Sequence, residues 1–368
     1  MIITRTPLRV SFFGGGTDYP IWYREHDGAV LATTIDKCCY ISCRRLPPFF
    51  EYHSRISYSK VENVNDNACI EHPSVRGCLQ FLGIDHGVEI HHIADLPART
   101  GLGTSSAFTV GLLLALYALM NQMRDKHALA VDAIRVEQEL LQEAVGAQDQ
   151  VSAAYGGFNR INFLKDGTIE VKRVIAAQDR LAELEQHLAL YFTGFSRTAS
   201  EIAKEQIRVT LQRKTELETM YQMVGEAENI IMNPSCPISE FGKMLHESWK
   251  LKRALTQNIT TTSIDEIYSA GLSAGAVGGK LLGAGGGGFM LFFVPPERRR
   301  ALRMRLQNLL CIPFTFSSRG SHVEVYEPQE VYDRSLADER DLVYHTPSRN
   351  GAQARIFAPT AVAGCSNR

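Results

Sequence analysis

The segment Pro97-Ala98-Arg99-Thr100-Gly101-Leu102-Gly103-Thr104-Ser105-Ser106-Ala107 joins an expected strand to a long apolar helical stretch. Glycines let a backbone fold closely around a ligand, and the helix start that follows presents unpaired N–H groups and the positive end of a dipole. That combination suits a phosphate. Three hydroxyls stand in the first helical turn, and a helix cap needs only one. The others can hold phosphate oxygens or ligate a magnesium ion. This is not the common phosphate loop, because GxxxxGK[ST] needs a lysine before its hydroxyl and none stands here. Gly278-Gly279-Lys280-Leu281 has a lysine but lacks the hydroxyl residue.

Two further glycine turns and one aspartate complete the set. Gly283-Ala284-Gly285-Gly286-Gly287-Gly288 matches GxGxxG formally, but it precedes an apolar strand and not a helix, so the dinucleotide context is wrong. So many glycines cost backbone entropy, and a structural bulge needs one or two. The turn is expected to approach a ligand or the phosphate turn closely, with Gly285 and Gly286 at the ligand. The first strand ends in Gly14-Gly15-Gly16-Thr17-Asp18. Arg9, inside that apolar strand, needs an anionic partner if buried. Asp18 either accepts hydrogen bonds from ligand hydroxyls or closes an Asx turn. In Gly146-Ala147-Gln148-Asp149-Gln150, a lone carboxylate between two glutamines suggests a polar site; a solvated aspartate is the alternative.

Strands are expected at 2–13, 29–35, 38–44, 55–60, 87–93, 158–163 and 169–174. Helices are expected at 75–82, 104–120 and 128–143. After a strand at 188–193 the chain turns helical over 198–231, 238–257 and 263–274, followed by strands at 289–294, 313–318 and 322–326. The lobe boundary is expected near 174–185, giving an N-terminal lobe over 1–180, a C-terminal lobe over 181–328 and a tail over 329–368 with no assigned chemistry.

The 368 residues suffice for two packed lobes, and a formal net charge of -1 leaves no global field for nucleic acid or an anionic membrane. Arg298-Arg299-Arg300 with Arg303 and Arg305 reads as the solvated face of a helix. No charged-then-apolar leader precedes the first strand, and the 108–120 stretch is too short to span a bilayer. Eight cysteines form no CxxC pair. Cys38, Cys39 and Cys43 lie on a strand with Cys38 facing the other side, which disfavours zinc, and the expected setting is the reducing cytoplasm.

Taken together, the motifs resemble the GHMP superfamily of small-molecule kinases over roughly residues 1–326. Pro97–Ala107 is similar to that family's P-x-x-x-G-L-G-S-S-A motif, with Thr104 replacing the first serine. Thr6–Tyr19 resembles the galactokinase opening P-G-R-V-N-L-I-G-E-H-T-D-Y, and Lys280–Phe289 the third, C-terminal glycine motif. The resemblance implies an α+β, two-lobed fold: an N-terminal lobe like ribosomal protein S5 domain 2, and a ferredoxin-like C-terminal lobe. It implies ATP and Mg²⁺. Pro97, Gly101, Leu102, Gly103, Thr104, Ser105, Ser106 and Ala107 would form the nucleotide-phosphate site. Ser105 and Glu137 would ligate magnesium, with Glu139 the alternative one turn face away. Asp149 would receive the substrate proton beside Arg9, and Gly15, Gly16, Thr17 and Asp18 would meet the sugar.

Where galactokinase has Glu-His before Thr-Asp-Tyr, this chain has Gly15-Gly16, which implies a wider and less negative pocket. Arg-Val-Ser-Phe-Phe-Gly-Gly-Gly-Thr-Asp-Tyr, Gly-Ala-Gln-Asp-Gln and Thr193-Gly194-Phe195-Ser196-Arg197 look most like heptose 7-phosphate kinases. These phosphorylate the anomeric hydroxyl on the path to nucleotide-activated heptose for surface polysaccharide. Arg197 is a candidate for the substrate phosphate; a surface pair is its other reading. The alternatives are a kinase of an unphosphorylated sugar and a catalytically silent sensor. The expected partners are ATP and a sugar phosphate, with neither nucleic acid nor membrane; a homo-oligomer stays open.

Overall fold

The computed structural model describes residues 1–98, 100–194 and 199–327. Strands β1 (Ile2–Phe13) and β2 (Gly28–Arg45) pair antiparallel and form the spine of a nine-stranded sheet. β3 (Ser54–Ser57), β4 (Val61–Val64) and β5 (Val88–Ala94) extend it on one side, and β6 (Phe158–Phe163) and β7 (Ile169–Arg173) continue it from β2. The first half of β1 alternates between buried and partly exposed residues, whereas Leu8 to Phe13 are all buried. Alternation marks a half-covered sheet and a continuous apolar run marks one covered on both faces. The second half of β1 is where the two parts of the molecule meet.

The β1–β2 register shifts between Pro7 and Arg9. Proline has no N–H to give the ladder, and a bulge beside it re-aims the next side chain. The Arg9 amide donates instead to the Leu102 carbonyl at 3.0 Å, inside the first glycine turn. The Thr104–Leu119 helix that follows is apolar on every face, with Val110, Leu112, Leu113 and Leu116 fully buried, so it runs through the core against β1 and β2.

The second sheet comprises β8 (Leu188–Gly194), β9 (Gly278–Leu281), β10 (Gly288–Phe293) and β11 (Leu310–Ile312), in the order β11-β8-β10-β9 and antiparallel throughout. The Ser239–Leu255 helix lies on it so closely that a Cβ on Gly242 would come within 2.4 Å of the Phe293 ring. β12 (Phe316–Ser317) and β13 (His322–Tyr326) then return to pair with β2 and β1.

Three expectations need correction. The two strands expected at 29–35 and 38–44 are one continuous β2, because its partners change along it and not because it breaks. The helix expected over 128–143 is α-helical only from Lys126 to Arg135, and Val136–Leu140 widens to π geometry. The long helix from 198 is interrupted by a 3-10 turn, Thr210–Arg213, before Lys214–Met232. Dividing the chain at 180 separates the sheets except at the far end, where residues 316–326 rejoin the first sheet. Arg197 and the 329–368 tail lie outside the described residues.

Candidate active site

A cavity of about 600 Å³ opens where the three glycine turns and the Gly146–Gln150 segment converge. Arg9, Gly15, Gly16, Asp18, Gly101, Gly103, Thr104, Ser105 and Asp149 all line it. Leu102, Ser106 and Ala107 are buried behind that wall. Thr17 is fully buried too, donating to the Gly14 and Ala29 carbonyls at 2.8 and 2.9 Å, so its hydroxyl holds the turn together.

Arg9 grips Asp149 through two parallel bonds, Nε to Oδ1 at 2.7 Å and Nη2 to Oδ2 at 2.9 Å, and its Nη1 donates to the Gly101 carbonyl at 2.6 Å. A bidentate guanidinium–carboxylate pair fixes orientation as well as charge. One arginine therefore ties β1, the phosphate turn and the Gln148–Tyr155 helix to one point. Asp18 is 2% exposed and accepts from the Gly16 and Gln148 amides at 3.0 and 3.3 Å. Burial raises its pKa, and Asp149 raises it further. Neither bond is an Asx turn, since the donors lie two residues before Asp18 and far along the chain; the carboxylate instead ties the first glycine turn to the Gly146–Gln150 segment on the cavity wall.

Gly101 and Gly283 touch. A Cβ on Gly101 would lie 2.4 Å from the Leu282 carbonyl oxygen, and one on Gly283 would lie 2.3 Å from the Gly101 Cα. The third glycine motif thus packs on the first, and Gly283 and Ala284 line the cavity. Gly285 and Gly286 do not line it; they pack on Ile259, whose carbonyl accepts from the Gly286 amide at 2.9 Å. In this arrangement their freedom serves loop packing.

Glu137 stands in the π-helical turn, 1% exposed. Its Oε2 accepts from the Ser106 hydroxyl at 2.8 Å and from Gln150 Nε2 at 2.5 Å. Its immediate hydroxyl partner is Ser106, while Ser105 is exposed on the cavity wall. Burial pushes the Glu137 carboxyl up to about 7, and among the described residues its Oε1 has no hydrogen-bond partner. Glu139 is turned outward and pairs with Arg135 at 3.6 Å. Ser11 Oγ, Thr104 Oγ1 and Gln148 Oε1 are likewise buried without partners among the described residues, on residues that line the cavity. Buried polar atoms are nearly always paired, so such a cluster around one cavity marks a place for polar ligands.

The sequence reading missed Lys252 and Lys280, both buried and both on the cavity wall. A signal existed for Lys252. It occupies the same stripe as Leu245, Trp249 and Leu255 on an amphipathic helix, and a lysine on an apolar stripe needs a reason. Lys280 fails the phosphate-loop pattern, and its place at the head of the third glycine motif gives no local sign of where its amine goes.

Residues 73–157 match the family model GHMP kinases N terminal domain, and residues 237–309 match GHMP kinases C terminal. The chain is 31% identical over 298 residues to the D-glycero-alpha-D-manno-heptose 7-phosphate kinase of Campylobacter jejuni, covering 77% of this chain and 86% of that protein. To the bifunctional fucokinase/GDP-fucose pyrophosphorylase of Arabidopsis thaliana it is 27% identical over 308 residues, covering 76% of this chain and 28% of the plant protein. A crystal structure of a D-glycero-D-manno-heptose 1-phosphate kinase from Bacteroides thetaiotaomicron superposes with a TM-score of 0.70 at 24% identity, over 90% of this chain and 100% of that one. That likeness shows the fold. The Campylobacter relative, matched along most of its own length, shows the family: this chain belongs to the GHMP kinases and is an ATP-dependent sugar kinase.

Proposed function

We propose that the enzyme phosphorylates the anomeric hydroxyl of D-glycero-D-manno-heptose 7-phosphate, giving the 1,7-bisphosphate for nucleotide-activated heptose and surface polysaccharide. The observation that carries this reading is Gly15 and Gly16 on the cavity wall, where a galactokinase-like chain would carry two side chains. A Cβ on Gly15 would reach Gln148 Nε2 and Ser11 Oγ only at contact distances of 3.9 and 4.0 Å, so the wall here ends at the backbone. That leaves room for a longer, phosphorylated sugar. The similarity to the Campylobacter heptose 7-phosphate kinase supports the same substrate.

Asp149 would accept the proton of the attacking hydroxyl, held in line by Arg9. An anomeric hydroxyl suits this arrangement because its proton is more acidic than an ordinary alcohol's. Asp18 and the amides around it would orient the sugar hydroxyls. The Gly101–Ser106 backbone and the start of the Thr104–Leu119 helix would hold the β- and γ-phosphates, since preorganised N–H groups stabilise charge without reorganising. Phosphoryl transfer asks chiefly for such positioning and charge neutralisation.

Oxygen donors suited to a hard divalent cation are present: Ser105 offers a hydroxyl on the cavity wall, and Glu137, behind that wall beside Ser106, keeps one carboxylate oxygen unpartnered among the described residues. Ser105 and Glu137 would hold magnesium, which when bound offsets charge on the phosphate oxygens. ATP and sugar phosphates meet in the cytoplasm, where this reading places the enzyme. Among the described residues no helix is long and apolar enough to cross a membrane.

A coupled ADP-release assay with Mg-ATP tests the substrate against heptose 7-phosphate, mannose, galactose and fucose. Turnover chiefly on the heptose phosphate is expected. Turnover only on a free hexose would keep the sugar kinase and overturn the heptose phosphate; nucleotide binding without turnover on any sugar would favour a sensor.

A further inference from the structure

We propose that Lys252 and Lys280 receive the γ-phosphoryl group of ATP as it is transferred, supplying from the second sheet and its covering helix the positive charge that the common phosphate loop supplies with its own lysine. Lys252 is 8% exposed and Lys280 3%, and both reach the cavity. Lys252 Nζ donates to the Leu281 and Gly283 carbonyls at 2.8 and 2.5 Å, and Lys280 Nζ donates to the Phe12 carbonyl at 2.7 Å. Carbonyl dipoles offset part of the burial, but neither ammonium pairs with a carboxylate within the described residues. A buried charge without a counter-ion is costly, and it persists where a ligand brings the opposite charge. Asp149 does not relieve them, since its charge is matched by Arg9.

The cost shows in the free site, where the lysines hold their protons poorly and an anionic ligand would restore them. Burial lowers the pKa of Lys252, and Lys280 and Arg9 lower it further; burial and then Arg9 bring Lys280 to about 7. The three cations therefore sense one another across a small region. Its place is set by Gly283: Lys252 holds the Gly283 carbonyl, and Gly283 is the residue packed on Gly101. Lys252 therefore sits beside the phosphate turn, and Lys280 lines the same cavity from the Phe12 carbonyl.

In the transfer, the sugar oxygen forms a bond to the γ-phosphorus as the bond to the β–γ bridging oxygen breaks. That electron pair leaves with ADP, and the hydroxyl proton passes to Asp149. The three non-bridging oxygens carry their charge throughout, and an ammonium pair beside them offsets it. The proposal rests on ATP as donor and is independent of which sugar accepts.

Calorimetric titration with Mg-ADP, Mg-AMP-PNP and heptose 7-phosphate tests it on wild type, Lys252→Met, Lys280→Met and Lys252→Gln. AMP-PNP affinity should fall about tenfold or more in each variant while ADP affinity changes by less than about threefold. Lys252→Gln keeps an N–H donor for the Gly283 carbonyl but no charge, so it separates the ammonium from the loop it ties, and it serves if a methionine variant fails to fold. Equal losses for ADP and AMP-PNP would mean the lysines only hold the loop. Unchanged AMP-PNP binding, or a loss confined to the sugar phosphate, would also overturn the proposal.

Discussion

Arg9 is the residue on which the site turns, because one guanidinium meets both oxygens of Asp149 and the carbonyl of Gly101. The acid that would take the substrate proton is thereby fixed against the turn that would carry the nucleotide. Asp149→Asn keeps the size and loses the proton acceptor. Its kcat is expected to fall by about 10²–10⁴, while Kd for ATP stays within about threefold. Steady-state kinetics with a parallel nucleotide titration reads both. A kcat within about threefold of wild type would remove Asp149 from the chemistry. That Arg9 needs an anion was legible in the sequence, and the family resemblance implied Asp149 as that anion; that Gly101 shares the same guanidinium was not.

Among the elements, the Gly146–Gln150 turn has the tightest constraint. A Cβ on Gly146 would stand 1.9 Å from Asp18 Oδ2, and the Ala147 amide donates to the Asp18 carbonyl at 3.1 Å. The turn and the first glycine loop are thus pressed together with Asp18 between them. Gly146→Ala must push Asp18 aside, so it is expected to raise the sugar KM and to cost about 1–3 kcal/mol of stability. Thermal melting with steady-state kinetics checks this, and wild-type values in both would show that the loops part freely. The π-helical turn before it, where the Glu143 amide reaches back to the Glu137 carbonyl at 2.8 Å, escaped the sequence reading. Apolar spacing in that stretch fits an ordinary helix, and the widening depends on what Glu137 meets in the core.

Across the whole molecule, the two sheets are joined by apolar packing and by one buried amine. Phe241, on the helix that covers the second sheet, meets Phe12 and Phe13 of β1 at ring distances of 5.3 and 5.1 Å. Beside them Lys280 of β9 donates to the Phe12 carbonyl. Lys280 has a folded pKa near 7, below its unfolded value of 10.5, so between these pH values the unfolded chain binds the proton that the folded chain has lost. Stability from this group therefore rises with pH across that window. Lys280→Met removes the effect. The variant's stability relative to wild type should be greatest below pH 7 and should shrink toward pH 10.5 by at most on the order of 5 kcal/mol. Urea unfolding at about pH 6, 8 and 10 measures it. A pH-independent difference would show that Lys280 does not lose its proton on folding.

The residues of the phosphate turn, their order relative to Asp18 and Asp149, and the apolar strands and helix that carry them were determined by the sequence itself. Glycine spacing, hydroxyl placement and hydrophobic period are local properties, and local chemistry constrains them. The tertiary structure alone decided which partners those residues took. Glu137 met Ser106, Gly285 and Gly286 went to Ile259, and two lysines far along the chain arrived at the cavity. Each of these depends on contacts between segments distant in sequence, and on how much water burial removes from a charge. No stretch of sequence read alone carries that information.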